Sequence, residues 1–216
     1  MYVHERMTRR PTVVLPDYSV AKAYQLMQEG RFSQLPVVDD DNKLIGLVTE
    51  KLLAEINPSS ATSLSVYEIN YLLSKTKVRD IMKTGVYKID KNALLEDAAL
   101  VMKENRISSL PVTDGEYLVG IITRTDIFRA FIDIMGVKAQ GTRIAITSED
   151  KTGVFAEITQ IFASYGIDIR NISNINENGK LEMTVKVRSY DVDKAIEDIK
   201  AKGYTIESVS YTHLRA

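Results

Sequence analysis

The segment Ser33-Gln34-Leu35-Pro36-Val37-Val38-Asp39 returns further along the chain as Ser108-Ser109-Leu110-Pro111-Val112-Thr113-Asp114, 75 positions later. Its surroundings repeat with it: Met7 matches Met82, Ala23 matches Ala98, Met27 matches Met102 and Arg31 matches Arg106. Past a one-residue deletion, Leu44-Ile45-Gly46-Leu47-Val48-Thr49 is answered by Leu118-Val119-Gly120-Ile121-Ile122-Thr123 at a spacing of 74. Self-similarity at a fixed period constrains a fold more than any local pattern does. It makes the first two thirds of the chain two copies of one unit of about 55 residues, too small to bury a complete core alone. The copies are expected to pack on each other.

Each copy reads strand, helix, strand, strand, helix. In the second, Asn92 is placed to cap a helix whose Leu95, Ala98, Ala99 and Met102 follow the 3.6-residue period. Ser109–Thr113 and Tyr117–Ile122 are hairpin strands about Asp114-Gly115, and Thr123 opens a helix running to about Ile134. The first copy follows the same plan with a longer loop, Asp39 to Lys43. Between the copies, Asn57-Pro58-Ser59-Ser60 breaks the chain. Ser65-Val66-Tyr67-Glu68 then has the form of a capping box, with Leu64 and Ile69 as its hydrophobic staple, which predicts a packed connector helix to about Ser74.

The pattern changes after Met135–Gly141. A strand from Arg143 to Thr147 leads to an amphipathic helix, Gly153 to Tyr165, stopped by Gly166. Strands Ile167–Ile175 and Leu181–Val187 flank the turn Glu177-Asn178-Gly179; a helix Asp191–Lys202 ends at Gly203, and Thr205–Tyr211 is the last strand. This βαββαβ order is the ferredoxin-like plan. The expected fold is α/β (α+β): residues 1–57 and 78–137 as the two copies, 58–77 as a helical connector, and 141–212 as the βαββαβ domain.

Composition narrows the function. Lys+Arg number 28 against 29 Asp+Glu, a net charge of -1, so no basic surplus argues for nucleic acid. Cysteine is absent, which excludes disulfides and thiolate metal sites. No apolar run approaches the roughly 20 residues that span a bilayer, and Met1 to Arg6 lacks the pattern of a signal peptide, so a cytoplasmic protein is expected. The two histidines, His4 and His213, neighbour no triad or metal spacing, and there is no phosphate-binding loop. No enzyme activity, required cofactor or metal is expected.

The repeated unit resembles a cystathionine-β-synthase (CBS) domain through Met82 and its loop, the Ser-x-Leu-Pro-Val strand and Gly120-Ile121-Ile122-Thr123-Arg124-Thr125-Asp126. Two such domains in tandem imply a pseudo-twofold pair of the kind found in metabolic regulators. The third segment resembles an ACT domain through Asp150-Lys151-Thr152-Gly153-Val154-Phe155 and Gly166-Ile167-Asp168-Ile169. The order CBS, CBS, ACT is similar to that of AcuB-type accessory proteins of acetoin utilisation.

Thr123-x-x-Asp126 can be read in two ways. A Thr followed three residues on by an acid is a capping box. The same helix N-terminus also suits an anion, and a carboxylate beside it can accept ribose hydroxyls. The CBS resemblance implies the second role for Asp126, with AMP, ADP, ATP or a related adenosine nucleotide as regulatory ligand. It draws the rest of the cleft from Ile121, Thr123 and Thr125 and, across the pair, from Arg10, Thr12, Phe32 and Ser33. Arg9 and Arg10 are either a solvated basic pair or phosphate partners. In the first copy Leu52 stands where Asp126 stands in the second, so the two clefts are expected to be unequal. In the last domain, Asp150, Lys151, Thr152, Gly153 and Val154 form either a plain turn or, with Asp168, an amino-acid site. The helix from Asp126 to Ile134, apolar on more than one face, predicts a homodimer or higher even oligomer. The expected function is a non-catalytic nucleotide sensor with an amino-acid-sensing or dimerising third domain. The alternative is an interaction scaffold with degenerate sites that holds a partner enzyme.

Overall fold

The computed structural model describes residues 1–56 and 66–212. The chain divides into two compact units, Met1–Ile127 and Phe128–Ala216. The break at 57–60, the Ser65 capping box with its Leu64 staple, and His213 lie outside the described residues. No helix among those described is long and apolar enough to cross a membrane.

A 3-10 turn (Val3–Glu5) opens the first unit, followed by β1 (Thr8–Arg9), α1 (Val20–Gly30), β2 (Gln34–Val38), β3 (Leu44–Thr49) and α2 (Glu50–Ile56). The connector helix α3 (Val66–Lys75) leads to α4 (Val78–Ile81), β4 (Ile89–Asp90), α5 (Leu95–Glu104), β5 (Ser109–Asp114), β6 (Tyr117–Thr123) and α6 (Arg124–Ile134). One sheet has the order β1-β6-β5-β4 and the other is the hairpin β2-β3. Strand β1 therefore belongs to the first copy in sequence and to the second in space.

The exchange is reciprocal. Thr8 pairs antiparallel with Ile121, and 75 residues on Lys83 bridges antiparallel to Leu47. Further back, Leu95 N donates to Met1 O at 3.0 Å and Val3 N to Ala93 O at 2.9 Å. Their mates in the other copy are Val20 N to Thr76 O at 2.9 Å and Val78 N to Tyr18 O at 2.8 Å. Each copy's leading segment thus docks on its partner copy. The pseudo-twofold axis passes between the hairpin loops, where Leu44 N donates to Glu116 O and Leu118 N to Asn42 O. Lys43 and Tyr117 face each other there; Lys43 Nζ lies 3.0 Å from Glu116 and 5.9 Å from the Tyr117 ring centroid.

This docking explains the glycine of the repeated Gly-x-x-Thr run. A Cβ on Gly46 would lie 2.8 Å from Met82 Sδ and 2.9 Å from Lys83 O. A Cβ on Gly120 would run into Met7 Sδ and lie 3.0 Å from Thr8 O. The methionines matched across the repeat are the cross-copy covers of these glycines. One core collects Ala23, Met27, Leu35, Val37, Val48 and Leu53 together with Val78 from the other copy's leader. Val3, the mate of Val78, is likewise fully buried. Each such aliphatic side chain stabilises by about 1.5–3 kcal/mol, so neither copy is complete without the other's leader. One local expectation changes: the N-cap of α5 is Leu94, whose N donates to Asp97 Oδ2 at 3.2 Å, while Asn92 N donates to Asp90 Oδ1.

In the second unit, β7 (Gly141–Glu149), α7 (Val154–Ser164), β8 (Ile169–Glu177), β9 (Lys180–Val187), α8 (Asp193–Ala201) and β10 (Thr205–Thr212) follow the βαββαβ order. The sheet is antiparallel in the order β10-β7-β9-β8. Alternate residues Leu181, Met183, Val185 and Val187 of β9 join Ile158 and Phe162 of α7 and Ile199 of α8 in the core. Asn178 and Gly179, with φ of 53° and 75°, form the tight turn into β9.

Candidate functional site

Strand β6 delivers Thr123 to the start of α6, and Asp126 folds back onto it. Thr123 N and Thr123 Oγ1 both donate to Asp126 Oδ2, at 2.9 and 2.7 Å, and Asp126 N donates to Thr123 Oγ1 at 3.3 Å. The capping reading is thus realised in full. It also fixes the carboxylate in one orientation before any ligand arrives. In the first copy only Leu52 N to Thr49 Oγ1, at 3.2 Å, remains of this arrangement.

Beside Thr123 lies a residue that sequence reading did not single out as a contact. Ser109 is its direct ladder partner on β5 and is only 3 % exposed. Among the described residues, Ser109 Oγ is the buried side-chain polar atom without a hydrogen-bond partner. A buried hydroxyl left in that state costs about 1–3 kcal/mol. Its mate in the first copy is Gln34, opposite Thr49 and half-buried. The sequence signal was the repeat itself, which sets Ser108-Ser109 against Ser33-Gln34 and so puts a hydroxyl where the first copy has an amide.

Of the other expected residues, Ile121 is half-buried on β6 beside Thr8, and Thr125 is exposed on the first turn of α6. Thr12 is exposed in the segment crossing from Arg9, opposite Gly120, to Val14, parallel to Val37. Ser33 O accepts from Glu50 N at 2.8 Å, as Ser108 O does from Arg124 N at 2.9 Å, so both serines tie a strand entry to the following helix. The Phe32 ring packs over Gly30 and is 40 % exposed. The antiparallel pairing sets Arg9 opposite Gly120, which carries Arg10 toward Val119 and away from Thr123. Val119 and Thr123 are four residues apart, roughly 13 Å along a strand. Arg10 lines a cavity with Leu118 and Val119 instead.

In the second unit, the loop from Asp150 to Val154 opens on a cavity of about 880 Å³ with Lys151, Thr152, Gly153 and Glu157 in its wall. Gly153 caps α7 with a φ of 99°, a conformation that requires glycine. Lys151 pairs with Glu149 at 2.6 Å, which raises the Lys151 pKa and lowers that of Glu149. The Asp150 carboxylate accepts from Asn176 Nδ2 at 2.5 Å. Glu157 accepts from the Tyr204 hydroxyl; that hydrogen bond, with burial, pushes the Tyr204 pKa up to about 12. Asp168 lies beyond the other end of α7, a helix roughly 16 Å long. There it pairs with Arg170 at 3.2 Å, and its carbonyl accepts from Arg188 N. The loop and Asp168 therefore do not meet within one chain. Lys186, 4 % exposed on the sheet face opposite the helices, donates to Thr212 Oγ1 at 2.7 Å. Burial, with Arg143 nearby, lowers its pKa.

The crossed-over pair of strand–helix–hairpin–helix units with a Gly-x-x-Thr strand exit defines a tandem CBS pair. The chain belongs to the CBS-domain family, whose model matches residues 3–56 and 78–133, just over half of its length. It is 37% identical over 163 residues to the chloroplastic CBS domain-containing protein CBSX1 of Arabidopsis thaliana, covering 66% of this chain and 68% of that one. A crystal structure of an acetoin utilization protein, AcuB, from Vibrio cholerae superposes with a TM-score of 0.54 at 29% identity, covering 63% of this chain and 94% of that one. CBSX2 of Arabidopsis thaliana, crystallised in complex with AMP, gives a TM-score of 0.52 at 34% identity, covering 62% and 97%.

Proposed function

We propose that this chain is a non-catalytic regulatory protein whose CBS pair binds one adenosine nucleotide in the cleft of Asp126. The carrying observation is the pairing of a preset carboxylate with the orphaned hydroxyl of Ser109 on the ladder position beside it. Ribose hydroxyls would donate to Asp126, and a ligand oxygen would satisfy Ser109. Thr123 and Thr125 flank that group, and Ile121 offers an apolar wall to the base. Thr12, Phe32 and Ser33 are assigned to the far wall, while Arg10 is not. AMP bound to the similar CBSX2 supports the choice of ligand class. Half-capped Thr49 with Leu52 leaves the other cleft without a ribose acceptor. Thermal shift with AMP, ADP and ATP tests the assignment: a nucleotide at 100 times its Kd stabilises by about 2.7 kcal/mol, and no shift with any of the three would refute it.

The remaining parts follow the same reading. CBS domains occupy 1–57 and 78–137, with a connector at 58–77, and an ACT-type domain occupies 141–212, an arrangement like that of AcuB and suited to the cytoplasm. Amino-acid sensing by this last domain needs a second copy, because Asp168 reaches the loop from Asp150 to Val154 only from a neighbouring chain. The exposed Phe128 (68 %) and Phe131 (61 %) of α6 favour association as a homodimer or with a partner enzyme. Sedimentation equilibrium at micromolar concentration separates dimer from monomer. Thermal shift with the common amino acids, each against its amide, tests the loop.

A further inference from the structure

A cavity of about 740 Å³ opens at the entry end of β6, in the wall formed by the first copy's leader and the second copy's sheet. Arg9, Arg10, His4, Lys91, Asn42 and Asn92 supply its polar lining, and no Asp or Glu lines it. Met7, Leu118 and Val119 give it an apolar floor. Lys91 is already paired with Asp114, and His4 Nδ1 donates to Lys91 O at 2.9 Å. Arg9 meets only the His4 carbonyl, at 3.5 Å, and Arg10 makes no hydrogen bond or ion pair among the described residues.

The repeat provides an internal control, because every wall residue has a mate across the pseudo-twofold. Arg9 and Arg10 correspond to Thr84 and Gly85, Lys91 to Pro16, His4 to Arg79 and Asn92 to Asp17. On that side Arg79 is neutralised in place, 2.7 Å from Asp17, and a second cation, Lys88, stands where Val13 lines this cavity. The bend at the Arg10 position needs a positive φ in both copies: 63° at Gly85 and 49° at Arg10. Glycine adopts that conformation without steric cost and arginine does not. Arg31 and Arg106 take a similar φ of 53° at helix ends; what sets Arg10 apart is that its mate is glycine and that its guanidinium, unpaired, lines a cavity.

We propose that this cavity is a second ligand site, separate from the Asp126 cleft, for a small organic phosphate. Arg9 and Arg10 hold the dianionic head by bidentate, charge-assisted hydrogen bonds. The Asn92 amide meets its hydroxyl or carbonyl groups, with Asn42 held in the wall by donating to Leu118 O at 2.9 Å, and its carbon skeleton lies on Met7, Leu118 and Val119. The probes are glycerol 3-phosphate and inorganic phosphate, with glycerol as control, titrated calorimetrically at constant ionic strength. Saturable binding of glycerol 3-phosphate is expected, with a Kd unchanged by Asp126→Ala. Arg9→Thr and Arg10→Gly, each installing the mate's residue, weaken it at least tenfold, and Arg10→Gly melts no lower than wild type. Absence of saturable phosphate binding, an unchanged Kd in both arginine variants, or loss of binding in Asp126→Ala would each overturn the proposal. The last result would return Arg10 to the nucleotide cleft.

Discussion

The two CBS copies share backbone pairing and apolar fit where their leaders cross, and both keep Thr49/Thr123 and Ser33/Ser108, yet they differ at several other polar positions that could touch a ligand. Thr8 opposite Ile121 has its mate in Lys83 opposite Leu47, and Met7 on Gly120 in Met82 on Gly46. Against this shared frame stand Asp126 and Leu52, Ser109 and Gln34, Arg10 and Gly85, Lys91 and Pro16. Backbone pairing and apolar fit must be met twice for the pair to close. Rim side chains are under no such demand, so each cleft can hold different chemistry on one scaffold.

The largest effect should come from what the copies share. Gly46→Val and Gly120→Val each force a branched side chain into a methionine and a carbonyl; each should destabilise by about 2–3 kcal/mol in denaturant unfolding. A cost for only one of them would break the structural half of the comparison. Next is the chemical difference. Asp126→Ala should weaken AMP binding by about 1.5–3 kcal/mol, whereas Leu52→Ala should leave the AMP Kd unaltered. Leu52→Asp completes the box at Thr49, and with Gln34→Ser it should sharpen the contrast by giving the first copy a weak site of its own. A smaller effect belongs to the leader bend: Gly85→Arg should lower stability by about 1 kcal/mol and Arg10→Gly raise it by a similar amount.

The smallest predicted effects lie outside the copies, in the second unit, where Lys186 and Tyr204 have shifted pKa values. Lys186 has a folded pKa below its unfolded 10.5, so the fold binds fewer protons there and gains stability as pH rises toward 10.5. Tyr204 has a folded pKa of about 12 against 10.0 unfolded; its contribution is full below 10 and is lost as pH rises from 10 to 12. Urea midpoints measured across alkaline pH should therefore rise and then fall. Lys186→Met should flatten the rise and Tyr204→Phe the fall. A slope that survives both variants would place the titrating groups elsewhere.

Much of the scaffold was legible in the sequence because periodicity and turn chemistry report it directly. The repeat, the hairpin at Asp114-Gly115, the glycine stops at Gly166 and Gly203 and the βαββαβ order all carry local signals. The exchange of leaders was not legible, since Met7 and Gly120 announce nothing about each other at a separation of 113 residues. The place of Arg10 is not legible for the same reason: proximity in the chain to Thr12 says nothing of the β1–β6 register that sets Arg9 opposite Gly120. Asp168 and the Asp150 loop flank α7 and are separated by its length, in keeping with a site that two copies would have to complete. Ser109 needed the ladder, which sets it directly opposite Thr123, and the packing that leaves its hydroxyl without a partner.

The central claim is that a symmetric frame carries one nucleotide site, and stoichiometry tests it most directly. Calorimetric titration of the wild-type chain with AMP should give one site per chain, with a Kd raised roughly 10- to 150-fold in Asp126→Ala and an unchanged isotherm in Leu52→Ala. Two equivalent sites per chain, or an isotherm left unchanged by Asp126→Ala, would contradict the account.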